Sequence, residues 1–368
     1  MDHTLKFHSG SFKIMQITDI QDAADVDTET LRLVEAALDR EKPDLVVLTG
    51  DQVRGQVPSM KKEENVEKTI RQIIAPFEAR GVPFTLAFGN HDAQGVPAEK
   101  QLAWYMESSM CVARDTPGVS GCANHNLVIE GTNGRPVLNI YMLDSHGNAS
   151  LKGYEPLEPD QVEWYRETRE ALRAQAGNYV PSLLFQHIPV EAMYRLLIPH
   201  EKKTKNAIRG FAAFKDKYYT LEESKIHPGG RLCEALCVPN SDVGLFDAAR
   251  EKGELLGMYF GHDHKNSFAG PVDGIDLGYC PGCGFAAYGD GVRRGVRVFE
   301  IDEADPRACQ TRLVTYGELF NKKRVKNLRH WLTDQAPSSV DDAISKGLKL
   351  LLALGLAAGV IVALAILL

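Results

Sequence analysis

The sequence predicts an α/β fold in which a mainly parallel β-sheet carries helices on its faces. Two observations lead to this prediction. Short apolar runs that are typical of buried strands alternate with segments whose apolar residues recur at helical spacing. The apolar runs also end repeatedly in glycine followed by polar residues, as in "PDLVVLTGD" and "VPFTLAFGNHD". This alternation is typical of parallel strands, because each helix returns the chain to the same end of the sheet.

The expected elements follow one another along the chain. The segment "FKIMQITDI" predicts a first strand that stops at Asp19, and a helix is expected near Thr28 to Arg40. "PDLVVLTGD" predicts the second strand, residues 66–80 the second helix, and "VPFTLAFGNHD" the third strand. Further strands are expected at "PVLNIYMLDS", "PSLLFQHIPV", "ELLGMYFGHDH" and "GVRVFEID", with an amphipathic helix at "DQVEWYRETREALRAQ". In the last of these strands we expect Arg294 and Arg297 to face outward.

The chain divides into three predicted parts: a main domain over residues 1–318, a polar and partly helical linker over 319–346, and a C-terminal anchor over 347–368. Residues 350–368 contain no charged side chain. As a helix they would reach about 29 Å, close to the roughly 30 Å hydrocarbon core of a bilayer. The alternative is a buried core helix, but such helices usually carry polar residues on one side.

The N-terminus has no charged start followed by an apolar stretch, so no signal peptide is predicted. We therefore expect a membrane protein held by a C-terminal tail anchor, with its catalytic domain in the cytoplasm. Within the apolar run, Gly355 and Gly359 have the spacing that lets two helices approach closely. A dimer through these glycines is compatible with the sequence, although Gly- and Ala-rich spans produce the pattern often.

Charge and cysteine content exclude some function classes. The formal net charge of -7 argues against a nucleic-acid partner, which would need a basic surface. The seven cysteines follow no secreted disulfide framework. Cys280 and Cys283 have C-x-x-C spacing, and three interpretations stay open: ordinary thiols near the site, a disulfide or redox switch, and a shared metal. Cys233 and Cys237 are predicted to lie on a helix.

Side chains that can bind metals follow five of the predicted strands. They are Asp19 with Gln21, Asp51, Asn90 with His91 and Asp92, His187, and His262 with His264. Each has a structural explanation when taken alone, such as a helix cap, a turn or a core histidine. In an open α/β sheet, however, ligands lie beyond the carboxyl ends of the strands. The recurrence at five strand ends therefore predicts one assembled site.

The ordered set "TDIQD", "TGDQ", "FGNHD", "FQHIP" and "FGHDH" resembles the calcineurin-like metallophosphoesterases, whose usual pattern is D-x-H, G-D, G-N-H-D/E, a lone H and G-H-x-H. The resemblance spans about residues 12–300. It is strongest to the branch that holds the yeast cell-cycle phosphatase and plant proteins labelled purple acid phosphatases. It implies a four-layer α/β/β/α sandwich of two mixed sheets flanked by helices.

The resemblance also implies two divalent metal ions (Mn, Fe or Zn, with Mg as an alternative) and a role for each matching residue. Asp51 would bridge the ions, Asp19 and His264 would hold one of them, and Asn90, His187 and His262 would hold the other. A hydroxide bridging the ions would attack the phosphorus atom of a phosphomonoester.

Two further roles follow from the same resemblance. His91 would protonate the leaving alkoxide, and Asp92 would orient the His91 ring.

Two positions depart from the family pattern. Gln21 replaces the first family histidine, and its weaker amide oxygen predicts a loosely held metal and a preference for Mn²⁺ or Mg²⁺ beside Asp19. Asp22 is an alternative ligand there, with a solvated or supporting role as the other interpretation. Arg54 stands where purple acid phosphatases place a tyrosine ligand, so we expect a colourless enzyme. Arg54 either grips a phosphate oxygen of the substrate or is a solvated loop residue.

The predicted function is hydrolysis of phosphomonoesters, with a small molecule or a phosphoprotein as substrate. A phosphodiesterase or nucleotidase is the alternative within enzymes. A non-catalytic metal-binding scaffold at the membrane is the alternative outside them, and Gln21 is the feature that favours it. Residues 190–230 are polar and basic, and we expect them to form a loop insertion over the site.

Overall fold

The computed structural model describes residues 4–337, 342–344 and 346–348. Its first half contains β1 (Leu5–Lys6), β2 (Ser11–Ile17), α1 (Thr28–Glu41), β3 (Leu45–Thr49), α2 (Glu63–Glu78), β4 (Phe84–Ala87), α3 (Ala98–Met106), β5 (His125–Glu130), β6 (Pro136–Met142), α4 (Pro159–Ala176) and β7 (Ser182–Phe185). Its second half contains β8 (Leu197–His200), β9 (Ile208–Arg209), β10 (Tyr218–Leu221), α5 (Leu245–Arg250), β11 (Leu255–Phe260), β12 (Ala269–Val272), β13 (Ile275–Tyr279), β14 (Gly295–Asp302), β15 (Asp305–Thr315), α6 (Tyr316–Phe320) and α7 (Leu328–Asp334).

These elements form a mixed α/β fold with two large sheets and one small one. The five-stranded sheet has the order β15-β14-β2-β3-β4, and the seven-stranded sheet has the order β1-β5-β6-β7-β11-β13-β12. Strands β2, β3 and β4 are parallel, as are β6, β7, β11 and β13. Antiparallel strands complete both sheets. The parallel strands place their carboxyl ends along one edge of each sheet.

Alternating residues of each central strand pack on opposite faces. Leu45 and Val47 of β3 share a buried cluster with Leu138 of β6, so this cluster fills the space between the two large sheets. Val46 and Leu48 pack instead under α1, α2 and α3. A third cluster buries the outer face of the seven-stranded sheet under α4 and α5. Helices therefore cover the outer faces of both sheets.

The expectation that Arg294 and Arg297 face outward is wrong. Both side chains are buried: Arg297 belongs to β14, which lies inside its sheet between β15 and β2, and Arg294 directly precedes that strand. Arg294 donates to the carbonyl oxygens of Gly284 and Ala287, each at 2.7 Å. Arg297 donates to the carbonyl oxygen of Tyr279 at 2.8 Å. Backbone carbonyl groups, joined at Arg294 by the carboxylate of Asp334, thus satisfy the two buried guanidinium groups.

The insertion between His187 and His262 is more ordered than a loop. Strands β8, β10 and β9 form a separate three-stranded antiparallel sheet within it. The helix expected around Cys233 and Cys237 is not formed, and the backbone there is irregular. The backbone N–H of Cys233 donates instead to the side-chain oxygen of Asn266, at 2.9 Å.

The predicted linker packs against the main domain. Helix α7 buries His330, whose Nε2 lies 2.8 Å from a carboxylate oxygen of Asp27. The apolar run 350–368, including Gly355 and Gly359, lies outside the described residues. Among the residues that the structure describes, no helix combines the length and the apolar character needed to cross a bilayer.

Candidate metal centre

The predicted metal ligands lie at the carboxyl ends of strands from both large sheets. Asp19, Asp51 and Asn90 follow β2, β3 and β4 of the five-stranded sheet, whereas His187 follows β7 and His262 follows β11 of the seven-stranded sheet. One sheet therefore supplies oxygen donors and the other supplies imidazole nitrogens. The site lies where the two edges meet.

Four of the predicted ligands have left-handed backbone conformations. They are Asp19 (φ 51°), Gln21 (φ 42°), Asp51 (φ 52°) and His262 (φ 73°). A residue with a Cβ loses about 1 kcal/mol in this region, so the surrounding structure must hold it there. Backbone hydrogen bonds between the two loops do so: the N–H of Asp19 donates to Gly50 at 3.1 Å, and that of Gln21 donates to Asp51 at 2.8 Å.

Two glycines leave room for the ligand loops to meet. A Cβ at Gly261 would lie 1.9 Å from the Thr18 hydroxyl oxygen and 2.8 Å from Oδ2 of Asp19. A Cβ at Gly89 would lie 2.3 Å from Oδ1 of Asp51. Both distances are too short for any side chain, so the glycine in "FGN" and "FGH" is a packing requirement of the site.

The first group of ligands surrounds the carboxylate of Asp19. Ligand atoms of Asp19, Asp51 and His264 all lie within 4.8 Å of one another, and Nε2 of His264 is 3.3 Å from Oδ1 of Asp19. Nδ1 of His264 faces the carbonyl oxygen of Tyr288 at 2.8 Å, which fixes Nε2 as the nitrogen with the free lone pair. The Gln21 amide reaches the same point, with Nε2 donating to Oδ2 of Asp51 at 3.2 Å.

The second group surrounds His187. Its Nε2 lies 3.1 Å from Oδ1 of Asn90, 3.2 Å from Nδ1 of His262 and 3.4 Å from Oδ2 of Asp51. Its Nδ1 is occupied by the carbonyl oxygen of Thr49 at 2.9 Å. The carboxylate of Asp51 therefore belongs to both groups. The structure brings all seven predicted ligands together.

The buried charges of the site call for cations. Burial, reinforced by the charge of Asp51, raises the pKa of Asp19 to about 8, although His187 acts against this. Burial also opposes ionisation of Asp51, but the neighbouring His187 outweighs it and lowers the Asp51 pKa. Burial lowers the pKa of His264 to about 4, so its ring is neutral and free to bind a metal. Oδ1 of Asp19 and Nε2 of His262 are buried without a hydrogen-bond partner.

These features fit divalent metal ions. Buried carboxylates are normally paired with a charge or bound to a metal. Carboxylate, amide and imidazole donors together suit first-row metals such as Mn, Fe and Zn. Asp19, Gln21, Asp51 and His264 would hold one ion, and Asp51, Asn90, His187 and His262 the other.

Sequence comparison agrees with this geometry. A sequence model of the calcineurin-like phosphoesterases matches residues 12–266. The chain belongs to this family. Among its relatives, "Probable inactive purple acid phosphatase 14" of Arabidopsis thaliana is 29% identical, over 80% of this chain and 77% of that protein. "Phosphatase DCR2" of Saccharomyces cerevisiae is 28% identical, over 90% of this chain and 58% of its own length.

A solved structure also resembles this calcineurin-like phosphoesterase. The dimetal phosphatase from Danio rerio aligns with 83% of this chain and 99% of its own length, at 13% identity and a TM-score of 0.49.

Asp92 has a different place in this chain from the one expected. Its Oδ2 accepts the backbone N–H groups of Asp51 and Gly89, each at 2.8 Å, and its Oδ1 accepts that of Val53 at 2.7 Å. The ring of His91 is held by Gln94 instead, with Nδ1 3.0 Å from Oε1. Asp92 therefore joins the loops after β3 and β4 and does not orient the His91 ring.

The structure also shows the surroundings of Asp22 and Arg54, for which the sequence left two interpretations each. Asp22 uses one carboxylate oxygen for the N–H of Ala23 and the other for that of Asp27, each at 2.8 Å. It is therefore a loop-stabilising residue and not a ligand. Arg54 is half-buried, with Nη1 donating to the carbonyl oxygen of Ala286 at 3.3 Å and a buried Nε without a partner. It is not a freely solvated side chain.

The thiols of Cys280 and Cys283 are buried and form no disulfide. Burial raises the pKa of Cys283 to about 12, and that of Cys280 still further, so both stay protonated. Neither belongs to a group of metal-competent side chains within the described residues. The structure thus favours ordinary buried thiols behind the site.

Sequence reasoning missed two aromatic residues that support the histidine ligands. Tyr288 stacks on the ring of His264, with ring centres 4.3 Å apart, and Tyr154 meets the ring of His262 edge-on at 4.4 Å. Both tyrosines lie outside the strands and helices, Tyr288 24 residues after His264 and Tyr154 108 residues before His262. No periodic pattern marks such residues, so only the folded chain reveals them.

Proposed function

We propose that the chain is a metal-dependent phosphoesterase that hydrolyses phosphomonoesters of small molecules or phosphoproteins. The observation that carries the proposal is the position of Asp51, whose carboxylate lies within both groups of ligands. Two cations held on either side of it would polarise a phosphoryl oxygen and activate a water molecule. Membership of the calcineurin-like family supports the same reaction class.

His91 is the proposed acid for the leaving alkoxide. Its backbone N–H donates to Oδ1 of Asp51 at 2.8 Å, which ties it to the metal ligands. Its Nδ1 is engaged by Gln94, so Nε2 is the nitrogen that exchanges the proton. The unpartnered Nε of Arg54 supports the further proposal that Arg54 binds a phosphate oxygen of the substrate.

A non-catalytic scaffold is the second candidate, and the orientation of Gln21 favours it. Its amide nitrogen donates to Asp51, so in this arrangement the amide satisfies the carboxylate in place of a cation. The name of the Arabidopsis relative includes the word inactive. A scaffold, however, gives no role to the ring of His91.

We further propose that residues 350–368 tether the protein to a membrane, with the catalytic domain in the cytoplasm. The apolar run and the preceding Lys346 and Lys349 support this proposal. Flotation of the full chain with neutral lipid vesicles, resistant to high salt, is the expected result. Release by salt alone would contradict an inserted helix.

The activity is tested with metal-loaded full chain and p-nitrophenyl phosphate. Asp51→Asn and His91→Ala should each lower kcat by about 10²-fold or more. Asp39→Asn and His8→Ala are matched controls on the exposed surface and should leave kcat unchanged. Full activity of both site variants would overturn the proposal.

Two comparisons separate the alternatives. Faster turnover of bis-p-nitrophenyl phosphate than of the monoester would favour a phosphodiesterase. Stoichiometric metal binding without turnover of either compound would favour the scaffold.

A further inference from the structure

Exposed apolar side chains are concentrated near the C-terminal end of the described chain. Eight large hydrophobic residues are exposed among the described residues, and five of these lie within residues 328–348. Three of them belong to α7: Leu328 is 68% exposed, Trp331 51% and Leu332 56%. Their spacing of three and four residues places them on one side of the helix. This side of α7 is therefore mostly exposed among the described residues.

Basic side chains surround this apolar side. Lys323, Arg324, Lys326 and Arg329 are all exposed. The first three line a groove of about 710 Å³ together with Arg231, Arg293 and Lys265. We call the exposed residues Lys323, Arg324, Lys326, Leu328, Arg329, Trp331 and Leu332 the α7 face.

The acidic residues of the groove pair with arginines that do not belong to the α7 face. Asp290 pairs with Arg231 at 2.6 Å, and Asp334 pairs with the buried Arg294 at 2.6 Å. Arg329 lies 3.9 Å from a carboxylate oxygen of Asp27, so Lys323, Arg324 and Lys326 carry the net positive charge of the α7 face, on a chain whose formal net charge is -7. Such a face is complementary to an anionic surface.

The course of the chain after α7 indicates that this anionic surface is a lipid bilayer. Lys346 donates to the carbonyl oxygen of Ala336 at 3.3 Å, so the segment that leads to the apolar run lies against the end of α7. Leu348 is exposed, and the apolar run begins two residues later, within about 7 Å even for an extended chain. If residues 350–368 enter a bilayer, the α7 face is close enough to reach the lipid headgroups, and its charge decides whether it docks there.

We propose that the α7 face docks on anionic lipid headgroups, with Leu328, Trp331 and Leu332 at the headgroup boundary and the basic residues on the lipid phosphates. The proposal rests on the membrane tether proposed above. An aromatic and aliphatic helix side flanked by lysine and arginine is the composition of interfacial helices.

Docking of the α7 face would fix the orientation of the whole domain. His330 binds Asp27, and Lys265 donates to the carbonyl oxygen of Ala336 at 2.9 Å. Lys265 directly follows the predicted ligand His264. The chain directly after helix α7 is thus tied to the loop that carries His264, and this contact links the orientation of α7 to that of the metal centre.

The experiment measures the fluorescence of Trp331 in the full chain bound to vesicles with brominated acyl chains. Vesicles of phosphatidylcholine alone are compared with vesicles that contain about a third phosphatidylserine. Trp104 and Trp164 contribute background fluorescence, which is measured separately in the Trp331→Phe variant. We expect quenching of Trp331 on the anionic vesicles only, and loss of the effect in Trp331→Phe.

A charge variant tests the basic residues. Each cation near an anionic bilayer strengthens docking about five-fold. Lys323→Gln, Arg324→Gln and Lys326→Gln together should therefore weaken docking roughly 100-fold and abolish the quenching. The matched control is Lys202→Gln, Lys203→Gln and Lys205→Gln, which removes the same charge from the exposed insertion and should leave quenching unchanged.

The outcomes distinguish the α7 face from the tether. Flotation with neutral vesicles reports the apolar run alone. If flotation fails but anionic vesicles still quench Trp331 in a salt-sensitive way, the tether is wrong and the docking face stands. If the chain floats but Trp331 is not quenched on anionic vesicles, or is quenched equally in the charge variant, the docking face is wrong.

Discussion

Gly261 offers a direct test of how the metal site is packed. In Gly261→Ala the added Cβ would lie 1.9 Å from the Thr18 hydroxyl oxygen, about 1.5 Å short of van der Waals contact. It would also lie 2.8 Å from Oδ2 of Asp19, the acceptor of the Thr18 hydroxyl. The variant can therefore fold only if Thr18 and Asp19 move.

The expected magnitude follows from that displacement. Overpacking of this kind costs about 1–3 kcal/mol of folding stability. Metal–ligand distances tolerate changes of only about 0.2 Å, so a shift of Asp19 by about 1 Å should remove it as a ligand. We expect the metal beside Asp19 to bind at least ten-fold more weakly, which corresponds to about 1.4 kcal/mol.

Metal affinity is measured by competition with a chelator, and stability by denaturant unfolding. Gly147→Ala is the matched control, because it adds the same methyl group near Asn90 with its nearest neighbour 4.0 Å away. Removing the obstructing hydroxyl in the double variant Gly261→Ala with Thr18→Ala should restore part of the stability. Wild-type metal affinity in Gly261→Ala would refute the packing argument.

Two further predictions concern Gln21 and His125. Gln21→His should tighten the weaker metal roughly ten-fold or more, because imidazole is the better donor, whereas Gln21→Ala should not; equal affinities in a chelator competition would contradict this. Burial lowers the pKa of His125 from 6.5 to about 4 in the folded protein, while Nε2 contacts Thr85 at 2.7 Å. Because the unfolded chain then takes up the proton first, stability that is fully present above pH 6.5 is lost as the pH falls toward 4, by about 3 kcal/mol. In denaturant unfolding, His125→Gln should lack this portion of the pH dependence of stability. His8→Gln is the surface control. An unchanged pH profile of stability in His125→Gln would disprove the prediction.

The position of the ligands could be predicted from the sequence because it follows from strand geometry. Each ligand comes directly after a short apolar run, and parallel strands place such residues at one edge. The role of Asp92 could not be predicted in this way. Its partners are backbone N–H groups, and a backbone group carries no sequence signal.

The same limit explains why the burial of Arg294 and Arg297 could not be predicted. From the sequence, Arg294 and Arg297 are predicted to be surface residues, because charged side chains are rarely buried without a partner. Most of their acceptors are backbone carbonyl oxygens that the fold brings alongside, and Arg294 also pairs with the carboxylate of Asp334, 40 residues away in the chain. The three-stranded sheet of the insertion could not be predicted either, since its strands are only two to four residues long.

The division of the ligands between the two large sheets has a consequence for assembly. The oxygen donors Asp19, Asp51 and Asn90 belong to one sheet, and the imidazoles of His187 and His262 belong to the other. Neither half of the molecule alone presents a mixed donor set. We therefore expect tight metal binding only after the two sheets have packed together, and bound ions would then cross-link the two sheets.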